Sequence, residues 1–377
     1  MTEILHAIQP ILRFCKFFGF FPLNILNIDD KKSTAIYLVV ITFWTLVWNY
    51  ISYDRITMQY GHAMHGSSLS KIVFNLSVIL MLSMMLIIGV GNFLKRDRYK
   101  ELVRTMEKVD QKLLKFGISI NYKTRRNCAK MSVAIIFIML ISFFTITSKL
   151  TYQMKIHQDS SFYLKGSSST IMYVAILVNF AILCVIMSGI SSRLNILNRN
   201  LKENLKNEFK SDQFWTSFAS IFSNLRKAID ILNGIFSVPF AIFISTNLLL
   251  VSFLVYDYYA LFAIPNNQFM QLYFCLFSTL LKAYMFSMIF VTIYCCTSVK
   301  SQATETKRIL LKYLINTTRK GQNLKIWNLI HHVELTGLNL SCGMFEFDWK
   351  ILFTYFCQVF TYATILIQFD ASMIERN

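Results

Sequence analysis

Apolar residues recur in seven long runs separated by polar segments, at 34–53, 69–94, 128–148, 170–192, 235–256, 269–298 and 350–370. Each suits a helix of roughly 20 apolar residues, the length that crosses a bilayer core. The first holds the unbroken series Ala35-Ile36-Tyr37-Leu38-Val39-Val40-Ile41, and the fourth runs from Thr170 to Ser192 without a charge. Residues 1–33 read differently. Arg13, Lys16 and Pro22 interrupt their apolar stretch, and no small-residue cleavage site follows a clean apolar run. That pattern predicts an interfacial helix around Ile4–Phe18 rather than a signal peptide. The whole predicts an all-α membrane protein with seven transmembrane helices.

The polar segments differ sharply in charge. Residues 1–33 carry 4 Lys and Arg, 95–127 carry 11, and 193–234 and 299–349 carry 7 each, which places 29 on one side. The intervening segments 54–68, 149–169, 257–268 and 371–377 carry 5 in all. Short basic loops stay in the cytosol, so the N-terminus is expected inside and the C-terminus outside. The inner loops, of 33, 42 and 51 residues, are also longer than the outer ones of 15, 21 and 12. Four segments follow: a cytosolic N-terminal stretch (1–33), six spans with a ligand pocket and helical cytosolic loops (34–298), a cytosolic assembly segment (299–349), and the last span with an outer tail (350–377).

Composition agrees. Hydrophobic residues make up 55% of the 377 and charged residues 15%, against about 25% charged in soluble domains. With 4 Pro and 12 Gly, collagen-like and linker-rich classes are excluded. A net charge of +18 would suggest nucleic acid in a soluble protein. Here the cations sit between membrane-length runs and suit anionic lipid, so membrane lipid is the expected partner and nucleic acid is not. None of the eight cysteines falls in a predicted outer loop, which leaves no extracellular disulfide framework. The sequons at Asn75, Asn316 and Asn339 lie in a span or in the cytosol, where they would not be modified.

No enzyme motif is present. The chain lacks a phosphate-binding Gly-rich loop, His-Glu-x-x-His and Gly-x-Ser-x-Gly, and no cofactor is expected. His331-His332 diverge by about 100° on a helix and make a poor metal site. Cys295-Cys296, at the inner end of the sixth run, suit either interfacial packing or palmitoylation. In the assembly segment, Ile326, Leu329, Ile330 and Val333 form one helical stripe, and Ile309, Leu310, Tyr313 and Leu314 form another. These stripes either pack on each other or hold a subunit contact.

Lys282 lies midway along an apolar run of thirty residues, where a cation is costly unless paired or wet. It points to a water-filled cavity, with Asp257 as a candidate counter-charge. Candidate pocket residues are the polar and aromatic side chains of the outer span halves: Asn75, Tyr152, Tyr173, Asn179, Tyr256, Lys282 and Tyr284. In the last run, Thr361, Thr364, Ile365 and Gln368 share one helical side at i, i+3, i+4, i+7. Such a stripe faces protein or water rather than lipid, as interhelical hydrogen bonding or as a pore wall.

Thr361-Tyr362, five residues, then Gln368-Phe369 resembles the C-terminal signature of insect gustatory receptors, and Gly343-Met344-Phe345-Glu346-Phe347-Asp348 resembles the turn before that family's last helix. The topology agrees over essentially the whole chain and is the reverse of G-protein-coupled receptors. Thr364 departs from the usual apolar spacer. The resemblance implies a fourfold ligand-gated cation channel, as a homotetramer or a heterotetramer with related receptors, in the plasma membrane of chemosensory neurons. It further implies a central pore from the last helix, with Gln368 and Phe369 at the gate, Thr361, Thr364 and Ile365 along the wall, and Asp370 at the outer mouth. A small-molecule tastant would be the ligand, a bitter or deterrent plant compound before a sugar. The alternatives are an odorant-receptor-type channel and a metabotropic seven-helix receptor, with a transporter more distant.

Overall fold

The computed structural model describes residues 8–14, 35–43, 46–47, 50, 68–153, 160–205, 212–263, 268–316, 320–335, 337–341 and 345–374. Its helices are α1 (8–14), α2 (35–43), α3 (Ser68–Leu94), α4 (Arg96–Lys115), α5 (Tyr122–Gln153), α6 (Ser160–Leu205), α7 (Asp212–Ala263), α8 (Gln268–Asn316), α9 (Lys320–Leu335) and α10 (Trp349–Ile374). Among the described residues no strand forms beyond one isolated bridge between Ser341 and Glu346. All seven apolar runs overlap described helix. Among the described residues, four stretches, Ile176–Glu203, Gln213–Tyr256, Lys282–Ile315 and Trp349–Phe369, are long and apolar enough to cross a membrane.

The helices outrun the bilayer. With 46, 52 and 49 residues, α6, α7 and α8 extend to about 70–80 Å at 1.5 Å per residue, against a hydrocarbon core of about 30 Å. Most of the expected cytosolic loop at 193–234 continues α6 and α7, and 299–316 continues α8, whereas α4 occupies most of 95–127 and α9 part of 299–349. α6 and α8 lie side by side and in parallel. Ser191 bonds Ser298 at 2.7 Å, Asn198 Nδ2 donates to Gln302 O at 2.8 Å, and Lys202 pairs with Glu305 at 2.8 Å. Partners therefore stay about 105 positions apart along both helices.

α4 runs antiparallel along the first half of α7 as an amphipathic helix, from Lys95 at Ile235 through Glu101 at Lys227 to Phe116 at Phe214. Tyr99, Leu102, Val103, Met106, Val109 and Leu113 are buried against the core, while Asp97, Arg104, Lys108 and Lys115 are exposed, the pattern of a helix packed on one side. It stops at Gly117, whose φ of +74° suits a residue without Cβ. There Ile118 N–H reaches back to Leu113 O at 3.1 Å and Gly117 N–H to Leu114 O at 2.8 Å, which satisfies the last carbonyls. A buried ion pair anchors the same helix: Arg193 of α6 grips Asp110 of α4 through both carboxylate oxygens, at 2.6 and 2.7 Å. Tyr122 O–H donates to the same carboxylate at 2.5 Å. The second acceptor and third donor matter, because a buried pair is stable only when its remaining groups are satisfied.

Large apolar side chains on the outside of α2, α3 and α5, among them Val39, Phe43, Ile72, Met131, Phe137 and Ile138, are more than half exposed. A soluble surface rarely carries a contiguous apolar patch of this kind. Spread over successive turns of three helices, it suits lipid.

Candidate functional site

The last helix divides into three faces. Tyr355, Val359, Ala363 and Leu366 are buried, spaced by four, four and three, and pack against α7. Opposite them, at 100° per residue, lie Thr354, Cys357, Thr361, Thr364 and Gln368, all exposed. Phe353, Phe356 and Phe360 are exposed on a flank between. Ile365 lies at the edge of the polar face, and Phe369 is turned about 100° from Gln368, towards the other flank. Each threonine donates to its own helix: Thr354 to Lys350 O at 3.1 Å, Thr361 to Cys357 O at 2.9 Å and Thr364 to Phe360 O at 2.8 Å. With the O–H occupied, a hydroxyl offers outward only lone pairs, an arrangement that favours cations over anions. Asp370 is helical, but its side chain lies outside the described residues.

α10 is tied to its neighbours at several levels. Tyr355 O–H donates to Asn247 Oδ1 of α7 at 3.0 Å, both groups buried. Phe253 and Tyr256 of α7 enclose Leu366, and Phe286 of α8 lies 5.3 Å from the ring of Phe356. At its start, Asp348 caps the helix by accepting the Lys350 N–H at 3.0 Å. The turn before it is clamped: Phe347 N–H bonds Leu340 O at 2.9 Å, Lys300 reaches Glu346 at 2.7 Å, and the Phe347 ring meets Phe240 edge-on at 4.4 Å. The Lys300 hydrogen bond holds the Glu346 carboxyl below its ordinary range.

Phe240 follows Pro239, a proline inside α7. Proline has no N–H to give the carbonyl four residues earlier, which is that of Ile235. Lys95, at the α3–α4 junction, donates to Ile235 O at 3.3 Å and fills the gap. Burial, assisted by nearby Arg98, lowers its pKa. Two residues before Ile235, Asn233 donates to Asn339 O at 3.2 Å and accepts from Ser341 N–H at 2.9 Å. The weakened turn of α7 is thus where the α3–α4 junction and the entry to α10 both attach.

A family model for the 7tm chemosensory receptors matches residues 8–373. The chain belongs to this chemosensory receptor family. No curated relative matches the chain in sequence. Among solved structures, the receptor is similar to the insect olfactory receptor OR5 from Machilis hrabei in complex with eugenol, at a TM-score of 0.72 and 14% identity over 97% of this chain and 100% of that one. A second structure of OR5 gives a TM-score of 0.67 and 12% identity over the same shares. At these identities the likeness establishes a common fold. The expected membership of the insect chemosensory receptors holds at family level, and this is a receptor family rather than an enzyme family.

Of the pocket residues expected from sequence, the receptor brings Tyr256 and Lys282 onto facing helices, α7 and α8, and buries both, at 4% and 7% exposure. Tyr284 is half-buried on a different side of α8. Asn75 is half-buried on α3. The side chains of Tyr152 and Tyr173, and that of Asp257, lie outside the described residues. Asn179 is bonded within the receptor: it accepts from Asn92 Nδ2 at 3.1 Å, and Asn92 in turn accepts from Tyr99 O–H of α4 at 2.8 Å. This buried amide is held in a network beside the basic helix, because three polar groups under apolar cover are stable only when bonded to each other. Sequence reading missed Tyr258 and Thr279, whose hydroxyls bond at 2.7 Å across α7 and α8 one turn from Lys282. It also missed Asn247 with Tyr355. A buried amide at one spacing and a tyrosine more than a hundred residues on leave no local signal.

The assembly stripes also resolve. Ile326, Leu329, Ile330, Val333, Ile309 and Leu310 are buried within the receptor itself. Among the described residues of this segment, Ile315, Leu324, Trp327 and Trp349 are exposed. Cys184, Cys295 and Cys296 lie together between α6 and α8 as free thiols. Among the described residues no three His, Cys, Asp or Glu side chains converge as a metal site.

Proposed function

We propose that this receptor is a ligand-gated, non-selective cation channel of gustatory type, with seven crossings, an inner N-terminus and an outer C-terminus. Four copies, identical or mixed with related receptors, surround one axis, and α10 lines the pore. The carrying observation is the α10 face of Thr354, Thr361, Thr364 and Gln368, which stands opposite the stripe packed on α7. A polar face in a spanning helix needs water or protein, and hydroxyl oxygens with bonded protons suit cations. Gln368 and Phe369 form the narrow gate, Ile365 and Thr364 lie below it, and Asp370 forms a ring of carboxylates at the mouth. Exposed Ile315, Leu324 and Trp327 supply apolar contacts between copies beneath the membrane.

The ligand is a small tastant, held near Lys282, Tyr256, Tyr258 and Thr279, and its effect reaches α10 through Asn247–Tyr355 and Tyr256–Leu366. The plasma membrane of chemosensory neurons is the site of action. A planar bilayer holding only the purified receptor tests this reading: a screen of bitter plant compounds should yield unitary cation currents. Saturating transport without current steps, or responses only with an added signalling partner, would overturn it. A second reading, an odorant-receptor-type channel, draws on the fold shared with OR5, whose structure holds eugenol. Activation by volatile phenols and not by non-volatile glycosides would favour it.

A further inference from the structure

Where α6 and α8 leave the apolar region together, a cavity of about 990 Å³ opens between them. Its lining includes Asn198, Arg199, Lys202, Lys300, Glu305 and Arg308. The residues of each helix recur every three or four positions, so the wall comprises one face of each of two parallel helices. Its floor is organised: Asn198 accepts from Thr306 O–H at 2.6 Å and donates to Gln302 O at 2.8 Å. Four cations meet one carboxylate. Glu305 holds Lys202 at 2.8 Å and is 3.9 Å from Arg308, while Arg199 and Lys300 turn to Glu203 and Glu346 outside the lining. Arg199 and Arg308 are 82% and 83% exposed, and ion pairs that open to water are weak. A ligand with several negative charges has little to displace. Two guanidinium forks and two ammonium groups match phosphate oxygens, which they meet with charge-assisted bonds.

We propose that this groove binds a polyphosphorylated anion, carried either by an inner-leaflet lipid headgroup or by a soluble polyphosphate. Thr297, which ends the lining nearest the apolar run, places the site at headgroup depth in the orientation proposed above. Only the lipid source rests on that orientation.

Thermal unfolding of the full receptor tests both sources. One arm uses phosphatidylcholine nanodiscs with and without phosphatidylinositol bisphosphate, and the other uses inositol hexakisphosphate added to lipid-free detergent micelles. Saturable, salt-sensitive stabilisation in the first arm alone assigns the lipid, and in the second alone the soluble anion. Lys202→Gln and Arg308→Gln should each weaken binding roughly tenfold, while Lys312→Gln, outside the lining, should leave it unchanged. Glu305→Gln should strengthen binding. Since Lys202→Gln and Glu305→Gln break the same ion pair, a merely structural role would move both the same way. That outcome, or no saturable effect in either arm, overturns the proposal.

Discussion

The apolar stretch of α6 is 78% buried within the chain, and that of α10 only 28%. Both qualify as membrane-crossing by length and composition, yet they meet different surroundings. α6 is enclosed by α5, α3 and α8, and its polar groups have partners inside the receptor: Arg193 with Asp110, Asn179 with Asn92, Ser191 with Ser298. α10 has one packed stripe, and the threonine hydroxyls of its exposed face bond to its own backbone. Apolarity drives a helix out of water, but what covers each face depends on whether that face's polar groups find partners in the same chain. The α6 side is complete in one subunit. The α10 side leaves a polar face for water and an aromatic flank for lipid or another copy.

Substitutions on the two sides should therefore fail differently. The largest effect is expected on the α6 side. Asp110→Ala strands the Arg193 guanidinium under cover, which costs about 3–5 kcal/mol. Loss of the monodisperse receptor in fluorescence-detected size exclusion would report it, and Asp110→Leu with Arg193→Met should recover much of the loss. Next comes the seam between the two sides. Tyr355→Phe leaves the Asn247 amide buried without its donor, at about 1–3 kcal/mol. It should shift agonist potency as well as the melting temperature, and a melt shift alone would show that the bond serves packing only.

A smaller effect is expected at the turn into α10. The Glu346 carboxyl is held below its ordinary range by Lys300. A carboxylate with a depressed folded pKa contributes stability above its unfolded value near 4.3 and loses it as pH falls through the folded value. Surface pairs are worth about 0–1 kcal/mol. The wild type should thus melt slightly higher than Glu346→Gln at neutral pH, with the difference shrinking as pH falls below about 4 and gone once the folded carboxyl is protonated. On the exposed α10 faces, Phe369→Ser and Thr361→Val should alter stability least, by about 0.5 kcal/mol or less, while changing current. Phe369→Ser should raise ligand-independent leak by wetting a dry constriction, and Thr361→Val should reduce unitary conductance in single-channel recordings. A large melt shift for either would place that residue in packing and remove the contrast between the two helices.

Much of the architecture was legible in local pattern. Helix was expected in each apolar run because burying a spanning backbone leaves no other way to bond its polar groups, and described helix overlaps all seven. The α10 polar face was readable for the same reason that any helical stripe is: residues three and four apart share a side. The turn at Phe345–Asp348 was readable as a motif, but not its partners Phe240 and Lys300. The bond from Asn92 to Asn179 was not readable, because a polar residue within an apolar run announces that it needs a partner without saying which residue supplies it.

The sequence by itself determined that this protein is helical, membrane-directed and basic in alternate polar segments, since hydropathy, helical period and loop charge are local sums over neighbouring residues. Tertiary structure decided which stripe is interior and which is left open. Ile326, Leu329, Ile330 and Val333 turned inward while Leu324 and Trp327 stayed out, and a carbonyl freed by Pro239 was met by a lysine 140 positions away. Such outcomes depend on which apolar faces fit together and which polar groups they bring within hydrogen-bond reach. Contacts between residues over a hundred positions apart are selected by packing the whole chain at once, and no window along the sequence contains them.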